Sequence, residues 1–237
     1  MTSFYIIQSG NTTKLETDFT PNLELNGSYE IALHSLETYY SFANVDGKNN
    51  RLKVSLDSGT SWNKITFAIG SYEHKAINDE LQRMIVALGG KKDDVVLKAN
   101  RNTFQSVLII SGSVQLDLTG DRSIRNILGF EAKIFKKGRH LSKHTVNIMR
   151  INSIFLHTDV ISSTYLNGIQ APVLYSFYPE CAPGMKIIIQ PKVLIYLPIS
   201  INVISRLTSW LTGQDLELLD LRGETLTIKY HLRCIQQ

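Results

Sequence analysis

Apolar and polar residues alternate with period two along most of the chain, the pattern of strands with one buried and one wet face. The C-terminal segment is clearest: Leu226, Ile228, Tyr230, Leu232 and Cys234 share one face, while Thr225, Thr227, Lys229, His231 and Arg233 share the other. A terminal antiparallel strand is predicted there. Leu52, Val54 and Leu56 alternate with Arg51, Lys53 and Ser55, and Ile65, Phe67 and Ile69 alternate with Lys64, Thr66 and Ala68. Asp57, Ser58 and Gly59 between these two runs supply turn chemistry, so they read as a hairpin. Further strands are predicted over 29–36, 104–110, 114–118, 151–158, 173–178, 186–190 and 193–197. About ten strands imply two packed sheets, an all-β antiparallel sandwich.

Two short helical insertions interrupt the strands. Ile77, Leu81, Met84, Ile85 and Leu88 recur at helical spacing over 76–88, and Gly89 and Gly90 stop the run. A second helix is predicted over 122–128, with Asp121 as N-cap and Gly129 as its stop. Between 132 and 147, Lys133, Lys136, Lys137, Arg139, His140, Lys143 and His144 occur with little apolar periodicity, which predicts an exposed basic loop. The chain reads as a single domain over 1–237, and that loop is where it would subdivide.

Of the 237 residues 43% are hydrophobic and 19% charged, which suits a globular chain and excludes disordered, collagenous and coiled-coil classes. The most apolar region, 186–211, is broken by Pro191, Lys192, Pro198, Asn202, Ser205 and Arg206, so no membrane span is expected. No secretory leader is expected at 1–8, where a basic start and a continuous apolar block are both missing. Cys181 and Cys234 are far apart and read as two free thiols, with neither a disulfide framework nor a zinc site. A net charge of +4 implies weak attraction to polyanions.

The search for catalytic chemistry yields little. His157 and Asp159 share a strand face, which could orient an imidazole, but a hydrogen-bonded structural histidine is the simpler reading. Asp215, Glu217 and Asp220 read as turn residues rather than metal ligands. No phosphate-binding glycine loop occurs. No catalytic residue, metal or cofactor is expected, and the chain reads as a non-enzyme.

Two binding surfaces are candidates. Lys136, Lys137, Arg139 and Lys143 could contact a polyanion such as nucleic acid, with Phe135 as the one nearby stacking ring. Tyr39, Tyr40 and Phe42, with Tyr165 and Asn167 in the loop 164–167, are candidate interface residues, because exposed aromatics near turns favour interfaces; burial in the core is the alternative. A sandwich used as a lectin-like binding module would instead stack a sugar on Tyr178 and Trp210.

A series of segments carries a family resemblance: Asp121 to Phe130 (DRSIRNILGF), Ser163 to Gly168 (STYLNG), Val173 to Pro179 (VLYSFYP), Leu194 to Pro198 (LIYLP) and Leu221 to Arg233 (LRGETLTIKYHLR). Together with Gly27 to Leu33 (GSYEIAL) and Gly70 to Glu73 (GSYE), their order and spacing resemble the minor capsid, or penton, proteins of Polinton/Maverick elements and adintoviruses. The resemblance covers most of the chain and implies a jelly-roll fold, homopentamers and a place at the fivefold vertices of an icosahedral virion, beside a major capsid protein. It carries over no catalytic residue.

Overall fold

The computed structural model describes residues 3–148 and 151–235. In chain order the first elements are β1 (Ser3–Gly10), β2 (Lys14–Glu24), β3 (Ser28–Tyr39), β4 (Arg51–Ser55), β5 (Asn63–Thr66) and α1 (His74–Ala87). They are followed by β6 (Val95–Asn100), β7 (Gln105–Ile110), β8 (Gln115–Asp117), α2 (Arg125–Leu128), β9 (Ile134–Phe135) and β10 (Gly138–Thr145). The remainder comprises β11 (Ile154–Thr158), β12 (Tyr165–Leu166), β13 (Ile169–Gln170), β14 (Val173–Phe177), β15 (Lys186–Ile189), β16 (Leu197–Pro198), β17 (Val203–Thr212) and β18 (Leu226–Ile235). The chain forms two compact units, one of residues 1–42 with 151–237 and the other of residues 43–150. The boundaries lie at 42/43 and 150/151, not within 132–147.

The first unit is a jelly-roll-like sandwich. One antiparallel sheet has the order β1-β18-β3-β15, with β16 also pairing β3, and the other has the order β14-β11-β17-β2. The predicted terminal strand forms as read: Leu226, Ile228, Tyr230 and Leu232 are all fully buried, while Lys229 and Arg233 face outward. Its pairing with β3 runs from Thr227↔Glu37 to Ile235↔Ser28 and shifts register between Lys229 and Tyr230. Ile31, Leu33 and Leu36 from β3 meet Leu156, Ile204, Leu207 and Leu211 from the opposite sheet in one core. Each large aliphatic side chain buried there contributes about 1.5–3 kcal/mol.

A polar chain crosses this core. The Tyr230 hydroxyl donates to Ser209 Oγ (2.6 Å), and the Ser209 hydroxyl donates to Gln8 Oε1 (2.6 Å). The Gln8 amide in turn donates to the Leu207 carbonyl (2.9 Å) and to Thr17 Oγ1 (3.0 Å). It links strands of both sheets, so it fixes their register as apolar contacts alone would not.

The second unit has its own core. α1 buries Ile77, Leu81 and Ile85 against β6, as the helical spacing predicts. β4 pairs β5 in the predicted hairpin, Leu52 opposite Ile65, within a sheet of order β5-β4-β8-β9. That strand ends at Thr66, however, and Ile69 is 52% exposed rather than buried with Ile65 and Phe67. The second helix is shorter than predicted, because Arg122 adopts a positive φ of 58° that no helix continues, and Asp121 does not cap it. Gly129 ends α2 at φ 75°, where a Cβ would meet the His144 carbonyl oxygen at 2.2 Å, so only glycine lets β10 approach.

The predicted basic loop is corrected. Residues 138–145 form β10, the edge strand of a three-stranded sheet β10-β7-β6, with Gly138 opposite Ile110 and Leu141 opposite Val107. A lone buried side chain, Ser142, holds its inner side, where it accepts from the Ser106 amide at 2.9 Å. An edge strand needs little apolar surface, so its charges hid it. Conversely, the apolar run 193–197 is mostly not strand: only Leu197–Pro198 pairs with β3.

Candidate assembly surfaces

A short hairpin projects where β11 leads towards β14. Tyr165 pairs with Gln170 and Leu166 with Ile169, and the turn residues Asn167 and Gly168 take positive φ of 52° and 81°. Two successive positive φ values are what a two-residue hairpin turn requires, and Asn-Gly meets them at least cost. Thr164 clamps the base: its carbonyl accepts from the Ala171 amide (2.9 Å), and its hydroxyl donates to the Ala171 carbonyl and accepts from the Val173 amide (3.0 Å). The tip is stiff and wet. Tyr165 is 71% and Ile169 73% exposed, and Asn167 is exposed beside them.

At the other end of the β11–β14 pair, the chain crosses through 178–185 to β15 in the opposite sheet. β14 pairs only with β11 and β15 only with β3 among the described strands, so both are sheet edges. They flank a groove of about 680 Å³ lined by Phe155, Tyr175, Phe177, Cys181, Ile187 and Ile189. Glu180, Lys186 and Lys192 also line it, and Lys186 is paired with Glu37 at 2.5 Å.

The outer face of the sheet containing β1, β18 and β3 carries a cluster of aromatic, imidazole and cationic groups. Lys229 Nζ lies 4.3 Å from the Tyr5 ring centroid, and His34 and His231 pack against the same ring at 5.1 and 4.9 Å. His231 Nδ1 lies 2.7 Å from the Tyr196 hydroxyl, and the Arg233 guanidinium covers the Tyr196 ring at 3.6 Å while pairing with Glu30 at 2.8 Å. Partial burial, with His34 and Arg233 nearby, holds the His231 pKa below its usual value. With exposed Ile7 alongside, the face combines the residue types that anchor protein interfaces.

The candidate interface residues divide. Tyr39 stays exposed, as do Tyr165 and Asn167, but Tyr40 and Phe42 are 6% and 3% exposed. Their rings pack at 5.1 Å within the sandwich core, so they are core residues and not contacts on the free chain. Of the candidate polyanion contacts, Lys136, Lys137, Arg139 and Lys143 are all exposed on or beside β10, but Lys143 is already paired with Glu131 at 2.7 Å. Lys133, outside that set, lies over the Phe135 ring at 5.0 Å.

His157 is buried, stacked on Trp210 at 5.1 Å, with Nε2 2.9 Å from Thr212 Oγ1; burial lowers its pKa. Asp159 instead accepts from the Thr208 amide at 3.0 Å, so the two side chains serve different contacts. Trp210 gives one face of its ring to His157 and is half-buried, whereas Tyr178 is exposed. Asp215 and Asp220 accept from the amides of Glu217 and Arg222, as turn residues do. Among the described residues no group of three or more His, Cys, Asp or Glu is placed to hold a metal, no helix is long and apolar enough to cross a membrane, and both cysteines are free. Sequence reasoning missed the Tyr5–His231–Tyr196 cluster, which sits on outward positions and joins segments far apart in sequence.

These features define a jelly-roll-like sandwich with exposed surfaces of interface composition. No family model and no curated protein matches the chain. Among solved structures it is similar to the mavirus penton protein, at 10% identity and a TM-score of 0.50, over 99% of this chain and 100% of that one. At that identity the likeness shows the fold. The D2-D3 domains of the flagellar cap protein FliD from Escherichia coli also match, at 12% identity over 99% of this chain and 100% of that one, but a TM-score of 0.25 carries no argument.

Proposed function

We propose that this chain is a structural minor capsid subunit, a penton protein, acting by assembly and not by catalysis. The supporting observation is the likeness of fold to the mavirus penton protein, which extends over nearly the full length of both chains. Its exposed hairpin, groove and aromatic face are compatible with burial between subunits, and closed symmetric assembly covers such sheet edges. The sequence resemblance extends the proposal to a homopentamer at the fivefold vertex of a Polinton- or adintovirus-like virion, contacting a major capsid protein, with the basic strand β10 available to nucleic acid.

Sedimentation of the purified protein tests the reading. A discrete pentamer is expected at micromolar concentration, and co-expression with the major capsid protein should yield closed shells that contain both. A chain that stays monomeric and never enters such shells would overturn it.

A further inference from the structure

We propose that the hairpin of one copy docks into the groove between β14 and β15 of the next copy. This contact rests on the assembly reading above and specifies which surfaces meet.

Residues 162–172, the hairpin and its flanks, contain no Asp, Glu, Lys, Arg or His, although 19% of the chain is charged and about two charges would be expected there. Loops that stay in water keep charge, whereas the centre of an interface loses it. The two largest side chains at the tip, Tyr165 and Ile169, are among the most exposed apolar residues of the sandwich unit. A hairpin this short does not support itself, yet the Thr164 clamp and the Asn167–Gly168 turn hold it in one shape. A preorganised knob loses little entropy on docking.

The groove offers the complement. Its walls are two sheet edges that pair with no further strand among those described, and its lining combines aromatic and aliphatic side chains with Glu180, Lys186 and Lys192. An uncharged knob brings no charge of its own to be desolvated, and its polar tip atoms can face Glu180 and Lys192 of the lining. The hairpin enters β14 at Val173, whereas the groove is lined by Tyr175 and Phe177 further along the same strand, so the two patches lie on different stretches of the β11–β14 pair. Knob and groove are different patches, so head-to-tail docking generates a ring where the rotation closes, and a reciprocal twofold exchange would stop at a dimer.

The groove contains the thiol that tests this. Cys181 is free, half-buried and part of the lining. In a Cys234→Ser background, Ile169→Cys treated with a short bis-maleimide should give a ladder of covalent multimers, and adding Cys181→Ser should abolish it. Tyr165→Asp with Ile169→Asp should weaken self-association at least tenfold at an unchanged melting temperature. An oligomer that gives no ladder and ignores the Asp variants overturns this contact but leaves the assembly reading standing. A covalent dimer that still forms after Cys181→Ser, through the one thiol left at position 169, shows the hairpins seated against each other and also overturns it. A monomer at every concentration, with no ladder, overturns this contact, and removes the assembly reading too if the chain never enters shells with the major capsid protein.

Discussion

Tyr230 brings a phenol into the centre of the sandwich and spends its hydroxyl on Ser209, which carries the chain of hydrogen bonds on to Gln8. Tyr230→Phe deletes one donor and should cost about 1–2 kcal/mol in chemical denaturation, since Ser209 is buried and loses a partner. Burial also raises the Tyr230 pKa above its ordinary value near 10. The unfolded chain therefore ionises first: this contribution is complete below pH about 10 and is lost as pH rises beyond it. Tyr230→Phe should flatten that alkaline decline in melting temperature, and an unchanged profile would mean the phenol is solvated. His157 runs the opposite way. Its pKa is lowered, so the unfolded chain takes up the proton first and stability falls as pH drops below about 6.5, a decline His157→Gln should reduce. The period-two pattern made the inward turn of Leu226, Ile228, Tyr230 and Leu232 legible, but not the partners of the one hydroxyl among them. Gln8 and Ser209 are polar residues at inward positions, and a pattern of apolar residues passes over them.

At the scale of elements, β18, β14 and β15 form close to their predicted ranges because apolar residues mark their inward positions. Three others left no such mark, each for a physical reason. β17 shifts register between Ile204 and Arg206 and turns Ser209 inward, which breaks the alternation. β2 and β10 are edge strands that each bury a single side chain, Leu15 and Ser142, so their exposed polar residues dominate the sequence. For β10 this has a consequence that solution binding can check. Replacing Lys136, Lys137, Arg139 and Lys143 by Gln should abolish the binding of a labelled DNA duplex at low salt, with the wild-type affinity falling steeply as salt rises. The melting temperature should barely move, because the backbone of β10, not its charges, holds it to β7. Wild-type protein that fails to bind DNA even at low ionic strength would leave β10 as a solubilising edge.

The whole molecule is a sandwich interrupted between β3 and β11 by a second compact unit, and the sequence hides this because the segments around 42 and 150 have ordinary composition and no Gly/Pro-rich linker marks them. Each unit gathers its own buried cluster, and the two clusters have no residue in common. A defect in one core should therefore stay in that core. Ile77 is fully buried in the second unit, where α1 packs on β6, and Ile77→Asp would place a carboxylate there at a cost of several kcal/mol, against total stabilities of about 5–15 kcal/mol. Hydrogen exchange should then show lost protection in β6 and β7 with protection retained in β3 and β18. The mirror variant Ile228→Asp, aimed at the sandwich core, should release β3 and β18 and spare α1. Each variant should split the thermal unfolding into two transitions, moving one and leaving the other in place. If either substitution erased protection in both units together, the chain would unfold as one cooperative body despite its two cores.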